Sequence, residues 1–385
     1  MADKNHVKAF VHSTGSTMTW AMNYYKAYKF ELSQKPADDM ILDEVVDLAA
    51  NNSKVTFTDV LSAILAGADA GYSEFLIVAH GSPKGLIMPM GPNLHSADKD
   101  NLPAMTEMAG LVTERDHIGS LADKAKQIAE WTRLLGRLSG SKLPGGATWG
   151  LMSQTQLAGI NSDADGRAWL ETICPQVNGR AILKDPDAMK LLTLRNRVAA
   201  RKIKRVEVRA CNLGGDADGM KALREFLNVS TVLAPYVKTF YAQVSPTLFV
   251  NDAHYITWLN RNAPWLLTGR PDPAGTRTYL GDSLFLKMGD RNTTPMAVLK
   301  LLQPSFQTCA ALAGKTGNYA MVQLLIRNNF DMKSTSSYTA GSFFIGGLDP
   351  VAGRTASNPP PAAANGKAFI VAPEPEYRLL IASNP

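Results

Sequence analysis

Phe75-Leu76-Ile77-Val78-Ala79 runs directly into His80-Gly81-Ser82. Five consecutive apolar residues closed by a glycine turn read as a strand buried on both faces, the pattern of a parallel sheet. A second strand-like stretch ending in a reactive side chain lies downstream, where Val206-Glu207-Val208-Arg209-Ala210 runs into Cys211-Asn212-Leu213-Gly214-Gly215. One strand thus ends in an imidazole and the other in a thiol. Side by side at one sheet edge, the two form the minimal apparatus of a cysteine hydrolase, in which a base removes the proton from the sulfur nucleophile.

The flanking sequence predicts strands alternating with helices. Residues 7–11 read as a strand, His12 to Ser16 as its turn, and Trp20, Met22, Tyr24, Tyr25 and Tyr28 as a helix. Residues 54–57 read as a second strand. Thr58 or Asp59 caps a helix in which Val60, Leu61, Ile64, Leu65 and Ala68 recur at helical spacing, and Gly71 ends it. The expected class is α/β, a mostly parallel sheet with helices on both faces. Ligands of such sheets bind beyond the carboxyl ends of the strands, where His80 falls.

Residues 84–186 break this rhythm and are expected as an insertion or lid. They hold a Met/Pro/Gly-rich loop (86–92), a helix over 118–138, a Gly-rich linker (139–150) and a short helix over 167–173. A helix over 187–200, the cysteine strand, a helix over 220–227 and a strand within 229–244 complete a first domain, residues 1–245. Residues 246–385 are expected as a C-terminal α+β subdomain. It contains a helical pair over 294–328, paired strands at 342–345 and 368–372 around a Pro/Ala/Gly-rich loop, and a last strand over 377–382.

Composition narrows the function classes. Among 385 residues, 45% are hydrophobic and 19% charged, enough for a buried core and against wholesale disorder. No apolar run reaches the ~18 residues of a membrane span. The first residues lack a signal peptide, so a cytoplasmic protein is expected. Cys174, Cys211 and Cys309 are too few and too scattered for a disulfide framework or a structural zinc site. The net charge of +6 has its densest cluster from Arg195 to Arg205, which reads as a solvated helix end. Nucleic acid is therefore not an expected partner.

The order His-Gly, a long gap, then Ala-Cys resembles the caspase–hemoglobinase superfamily of cysteine peptidases, which includes caspases, metacaspases, legumains, gingipains and clostripain-like peptidases. The resemblance implies that His80 handles the proton and Cys211 attacks the scissile carbonyl. It also implies an oxyanion hole made by the backbone amides of Gly81 and Cys211. The position two before the cysteine, Arg209 here, would lie near the pocket for the residue preceding the cleaved bond. The turn His12, Ser13, Thr14 would open onto the same pocket.

Arg209 shares a strand face with Cys211, so its charge favours an acidic substrate side chain unless a local carboxylate takes it. The expected activity is thiol peptidase action on a protein or peptide substrate, without a cofactor or metal. The competing class is a catalytically inactive caspase-like scaffold or interaction protein in a larger assembly.

Other motifs fall short. Gly314-Lys315-Thr316 lacks the first glycine of a P-loop, since Cys309 stands there. Asp163-Ala164-Asp165-Gly166 and Asp216-Ala217-Asp218-Gly219 resemble calcium loops. The first has Thr172 at the bidentate position and the second Gly214 at the first ligand position, so both read as acidic helix starts.

Overall fold

The computed structural model describes residues 6–11, 21–22, 25–26, 30–31, 40–50, 54–177, 180–210, 213–234, 238–244, 320–326, 343–346, 369–370 and 380–383. Its centre is a seven-stranded sheet. The strands are β1 (His6–Val11), β2 (Phe30–Glu31), β3 (Met40–Asp47), β4 (Glu74–Val78), β10 (Arg205–Arg209), β11 (Thr231–Ala234) and β16 (Leu380–Ser383), in the order β16-β11-β10-β4-β1-β3-β2. The five central strands are parallel, and β2 and β16 run antiparallel at the edges. The protein is thus α/β with a mostly parallel sheet. The chain moves from β1 outward to β3 and then returns to β4 on the other side of β1. In open parallel sheets ligands bind beyond the carboxyl ends of the strands at such a reversal.

Alternation along the strands sorts their side chains between two faces. Phe10, Phe75, Ile77, Val206, Val208 and Val232 join one contiguous core with the helices. Val11, Leu76, Val78 and Leu233 are buried outside that cluster, on the opposite face by register. Ala21, Met22 and Tyr25 are helical and buried, also outside the cluster.

The second strand lies earlier than the sequence suggested. Met40–Asp47 pairs with β1, whereas residues 54–56 lead into α1 (Phe57–Asp69). Asp59 decides this start: its Oδ2 accepts from the Thr56 N–H and hydroxyl, both at 2.8 Å. The first turn is thereby capped at Thr56, ahead of the expected Thr58 or Asp59.

Residues 84–186, expected as an insertion or lid, contain strands and helices that join the main core. Hairpin strands β5 (Gly81–Ser82), β6 (Gly85–Pro89) and β7 (Ser96–Asp98) make a small antiparallel sheet. Of the helix expected over 118–138, residues 124–138 form α3 (Lys124–Leu138), while 118 and 119 end an earlier helix, α2 (Leu102–Gly119), that the sequence reading did not expect. Asp123 separates them, accepting from the Ala125 and Lys126 N–H groups at 2.9 and 3.1 Å as the cap of α3. α4 (Gln154–Ala158) and α5 (Asp163–Ile173) follow, then the antiparallel pair β8 (Gln176–Val177) and β9 (Arg180–Ala181), α6 (Pro186–Ala199) and α7 (Ala217–Leu227).

α2 packs on α6 and α7, and α3 on α5, so Met105, Met108, Trp131 and Leu134 belong to the main core. Asp163 accepts the Trp131 indole N–H at 3.0 Å and pairs with Arg167 at 2.7 Å. Those contacts account for the first calcium-like stretch as a helix start.

A second sheet, of four antiparallel strands, contains β12 (Lys238–Val244), β13 (Ala320–Ile326), β14 (Phe343–Gly346) and β15 (Phe369–Ile370). Residues 320–326, expected within a helical pair, are therefore a strand. Seven mostly apolar residues fit either state by periodicity, and pairing with β12 on one side and β14 on the other decides it. The remainder of the expected helical pair lies outside the described residues, as does the loop at 353–366. Among the described residues, no helix is long and apolar enough to cross a membrane.

Candidate functional site

His80 follows β4 at the sheet's carboxyl edge and is half-buried. Parallel pairing sets Val78 beside Val11 of β1 on one side and Arg209 of β10 on the other. The ladder to β10 continues one step, with Ala79 donating its N–H to the Arg209 carbonyl at 3.2 Å. Beyond His80 the chain enters the small hairpin sheet, and the Ile87 N–H donates to the His80 carbonyl at 2.9 Å. His80 is held by its backbone from both directions.

Gly81 lies against β10. A Cβ built on it would meet the Ala210 Cβ at 2.5 Å, so only glycine allows this approach. Cys211 and Asn212 lie outside the described residues, as do His12, Ser13 and Thr14. The segments bounding Cys211 are described. Ala210 is buried, the Leu213 N–H donates to the Ala210 carbonyl at 3.4 Å, and Leu213–Gly215 forms a 3-10 turn leading into α7.

Arg209 sits on the same strand face as Glu207 and Arg205. Its guanidinium Nη2 lies 2.5 Å from Glu207 Oε1, and both side chains are fully enclosed, at 0% and 1% exposure. Arg205 lies 3.6 Å from the other Glu207 oxygen and 3.8 Å from Glu74 of β4. Cations and anions thus alternate along this face toward the site. Glu207 is the functional neighbour the sequence reading overlooked, although the two-residue rule that joined Arg209 to Cys211 applies equally to Glu207.

The hairpin after His80 and the helix after Cys211 meet directly. Lys99, just past β7, forms a very close ion pair with Asp216 Oδ2. Asp216 Oδ1 meanwhile accepts from the N–H groups of Asp218 and Gly219, at 2.9 and 3.2 Å, and so caps α7. A Cβ on Gly219 would lie 2.9 Å from the Pro83 carbonyl oxygen, so helix and hairpin touch there as well. The hydrogen bond from Lys99 is the main reason the Asp216 carboxyl titrates below its ordinary value, and the same bond raises the lysine. These contacts account for the second calcium-like stretch.

Cys174 offers a contrasting thiol. It is buried, and burial pushes its pKa up to about 11 despite hydrogen bonds from the Leu183 and Ile182 backbone. It is a core residue, protonated at neutral pH. Among the described residues, no group of three or more His, Cys, Asp or Glu side chains is placed to hold a metal ion.

In chemical class, the described part of the chain is an α/β protein with an imidazole at the carboxyl edge of a parallel sheet. Comparison with protein-family models, curated proteins and solved structures finds no match to this chain.

Proposed function

We propose that the chain is a caspase-like cysteine peptidase in which His80 and Cys211 act together on a protein or peptide substrate. The observation that carries the reading is the adjacency of β4 and β10, with Arg209 paired to Val78 and Ala79 bonded to the Arg209 carbonyl. In sequence Cys211 comes two residues after Arg209, the last of β10, as His80 comes two residues after Val78, the last of β4. The order of the five parallel strands supports the same reading, because its reversal falls between β1 and β4, the strand that His80 follows.

In the proposed reaction His80 takes the Cys211 proton, and the sulfur forms a bond to the scissile carbonyl carbon. The C–N bond then breaks as the leaving amine receives the proton from His80, giving a thioester. Water, deprotonated by His80, hydrolyses the thioester and restores the thiol. Gly81 suits the oxyanion role. The Ile87 bond to the His80 carbonyl turns that residue toward β6, and antiparallel alternation then leaves the Gly81 N–H facing away from β6. With its charge balanced by Glu207, Arg209 gives weaker support to an acidic preference than the sequence alone did.

A set of peptidyl acyloxymethyl ketones with varied side chains at the reactive carbonyl tests the proposal. Adducts mapped by mass spectrometry should fall on Cys211 and disappear in His80→Ala. No adduct from any member would overturn the peptidase reading and favour the scaffold.

A further inference from the structure

We propose that the outer face of the hairpin β5-β6-β7 is a subsite for an apolar side chain of a bound peptide, with Ile87 as its floor and the His80 imidazole as its polar neighbour. The subsite deepens the peptidase reading by naming a feature of the substrate.

Strand alternation defines that face. Along β6, Leu86 and Met88 are buried in the main core, whereas Ile87 is 60% exposed and Pro89 is exposed as well. Ala97 of β7 is buried on the core side, between half-buried Ser96 and Asp98. The pairs Gly81–Leu86 and Ser82–Gly85 carry the register back one step to His80 and Ile87, and there the Ile87 N–H donates to the His80 carbonyl at 2.9 Å. Residues directly opposite in an antiparallel pair project to the same face, with Cβ atoms ~4.5–5.5 Å apart. The Ile87 side chain therefore stands beside the imidazole, on the solvent side of the hairpin.

An outward position on a sheet covered on one side is ordinarily polar. Ser82, Ser96 and Asp98 follow that rule, and Ile87 and Pro89 break it. A single exposed aliphatic residue needs no explanation. Leu151, the other large apolar side chain strongly exposed among the described residues, is of that kind: it follows α3 and folds against Gly140, where an added Cβ would meet it at 2.7 Å. Ile87 differs because it adjoins an imidazole at the carboxyl edge of a parallel sheet, where ligands of such sheets bind.

The surface is held in place before anything binds. Met90, just past β6, accepts at its carbonyl from the Thr58 hydroxyl and N–H at 2.6 and 3.0 Å, and its own N–H donates to the His95 carbonyl at 2.8 Å. At the other end the Lys84 carbonyl accepts the Lys99 N–H at 2.8 Å. A preformed surface spends little on ordering when it is covered. The Asp98 carboxylate is engaged by its own turn: Oδ1 accepts from the Asp100 and Asn101 N–H groups and from the Asn101 amide, at 3.1, 3.2 and 2.8 Å. The face thus suits an uncharged side chain. A peptide is the occupant that uses both neighbours, giving Ile87 an apolar side chain to pack on and giving the imidazole amide groups to bond. An acyl chain would leave the imidazole without a partner.

The test is a titration of the full-length Cys211→Ala chain, in which no turnover consumes the probe, observed by NMR with labelled isoleucine methyl and histidine ring carbons. Ile87→Val and His80→Ala assign the two signals. The probes are acetylated, amidated hexapeptide pools, fixed as Leu, Asn or Lys at one position and randomised elsewhere. The Leu pool should shift the Ile87 and His80 signals together, half-saturating at about a tenfold lower concentration than the Asn and Lys pools. Ile87→Ser, with an unchanged melting temperature, should abolish that preference, and Ile87→Leu should keep it.

Equal midpoints for the three pools, no shift at either signal, or a Leu preference that survives Ile87→Ser would each overturn the subsite while leaving the peptidase reading to its ketone test. Shifts that grow with protein concentration in the absence of peptide would put a second copy of the chain on this face and overturn it too. A Leu preference lost in Ile87→Ser, in a protein that forms no ketone adduct, would keep the subsite and discard the peptidase.

Discussion

Gly81 and Ala210 face each other across β4 and β10 with no room for another carbon, since a Cβ on Gly81 would lie 2.5 Å from the Ala210 Cβ. The contact joins the residue after His80 to the residue before Cys211, so it links strand packing to the proposed chemistry.

Gly81→Ala should force the two strand ends apart. Overpacking of this kind costs about 1–3 kcal/mol, and chemical denaturation should show a lower midpoint. Reactivity of Cys211 toward the ketone probes should fall further than stability alone explains, because the displaced backbone also carries the proposed oxyanion donor. An unchanged midpoint would mean that the strands close less tightly than described.

The enclosed Glu207–Arg209 pair makes a second prediction. Breaking a buried ion pair by removing one partner is destabilising, at a cost on the order of 3 kcal/mol. Glu207→Gln should therefore destabilise the fold in urea titrations by roughly that amount, while Lys221→Gln, a helix-surface control whose side chain is 65% exposed, should change it by less than about 0.5 kcal/mol. Equal effects would mean that the ladder Glu74–Arg205–Glu207–Arg209 contributes little.

Asp216 predicts the acid limb of stability. Its folded carboxyl titrates below the ordinary value, chiefly because Lys99 donates to it. A group depressed in this way stabilises the fold above its unfolded pKa, ~3.9, and loses that contribution as pH falls through the folded pKa. Between pH 5 and pH 2.5, wild type should lose stability more steeply than Asp216→Asn. Parallel slopes for the two proteins would show that the carboxylate has no such role.

The thiols should separate cleanly. With a pKa near 11, Cys174 has only about one thiolate in ten thousand at pH 7. Limiting iodoacetamide in the native protein should label Cys211 well before Cys174. Earlier labelling of Cys174 would contradict its enclosure.

Legibility in the sequence tracked how local each determinant was. β4 was readable from its continuous apolar run and β10 from the period-two alternation of Val206 and Val208 with charged residues, each followed by glycine at Gly81 or at Gly214 and Gly215. β3 was missed because Asp43 and Glu44 interrupt its apolar residues, and the start of α1 was mistaken for a strand. The break between α2 and α3 runs from Gly119, the last residue of α2, to the cap Asp123, two signals that the sequence reading passed over. Residues 320–326 are apolar enough for either a helix or a strand, and only their partners choose.

For the site, the strand ending in His80 was legible and the meeting of Lys99 with Asp216 was not. No spacing rule joins residues that the fold alone brings together. Glu207 was within reach of strand alternation, and it changes how Arg209 is understood.

The most direct test of the central claim is digestion of a proteome-derived peptide library by wild type, Cys211→Ala and His80→Ala, with new termini identified by mass spectrometry. The account predicts new termini with wild type and none with either variant, the double variant being no worse than the single ones because the pair acts as a unit. New termini that persist in Cys211→Ala would show that the nucleophile lies elsewhere, and a wild type producing none would contradict the peptidase reading.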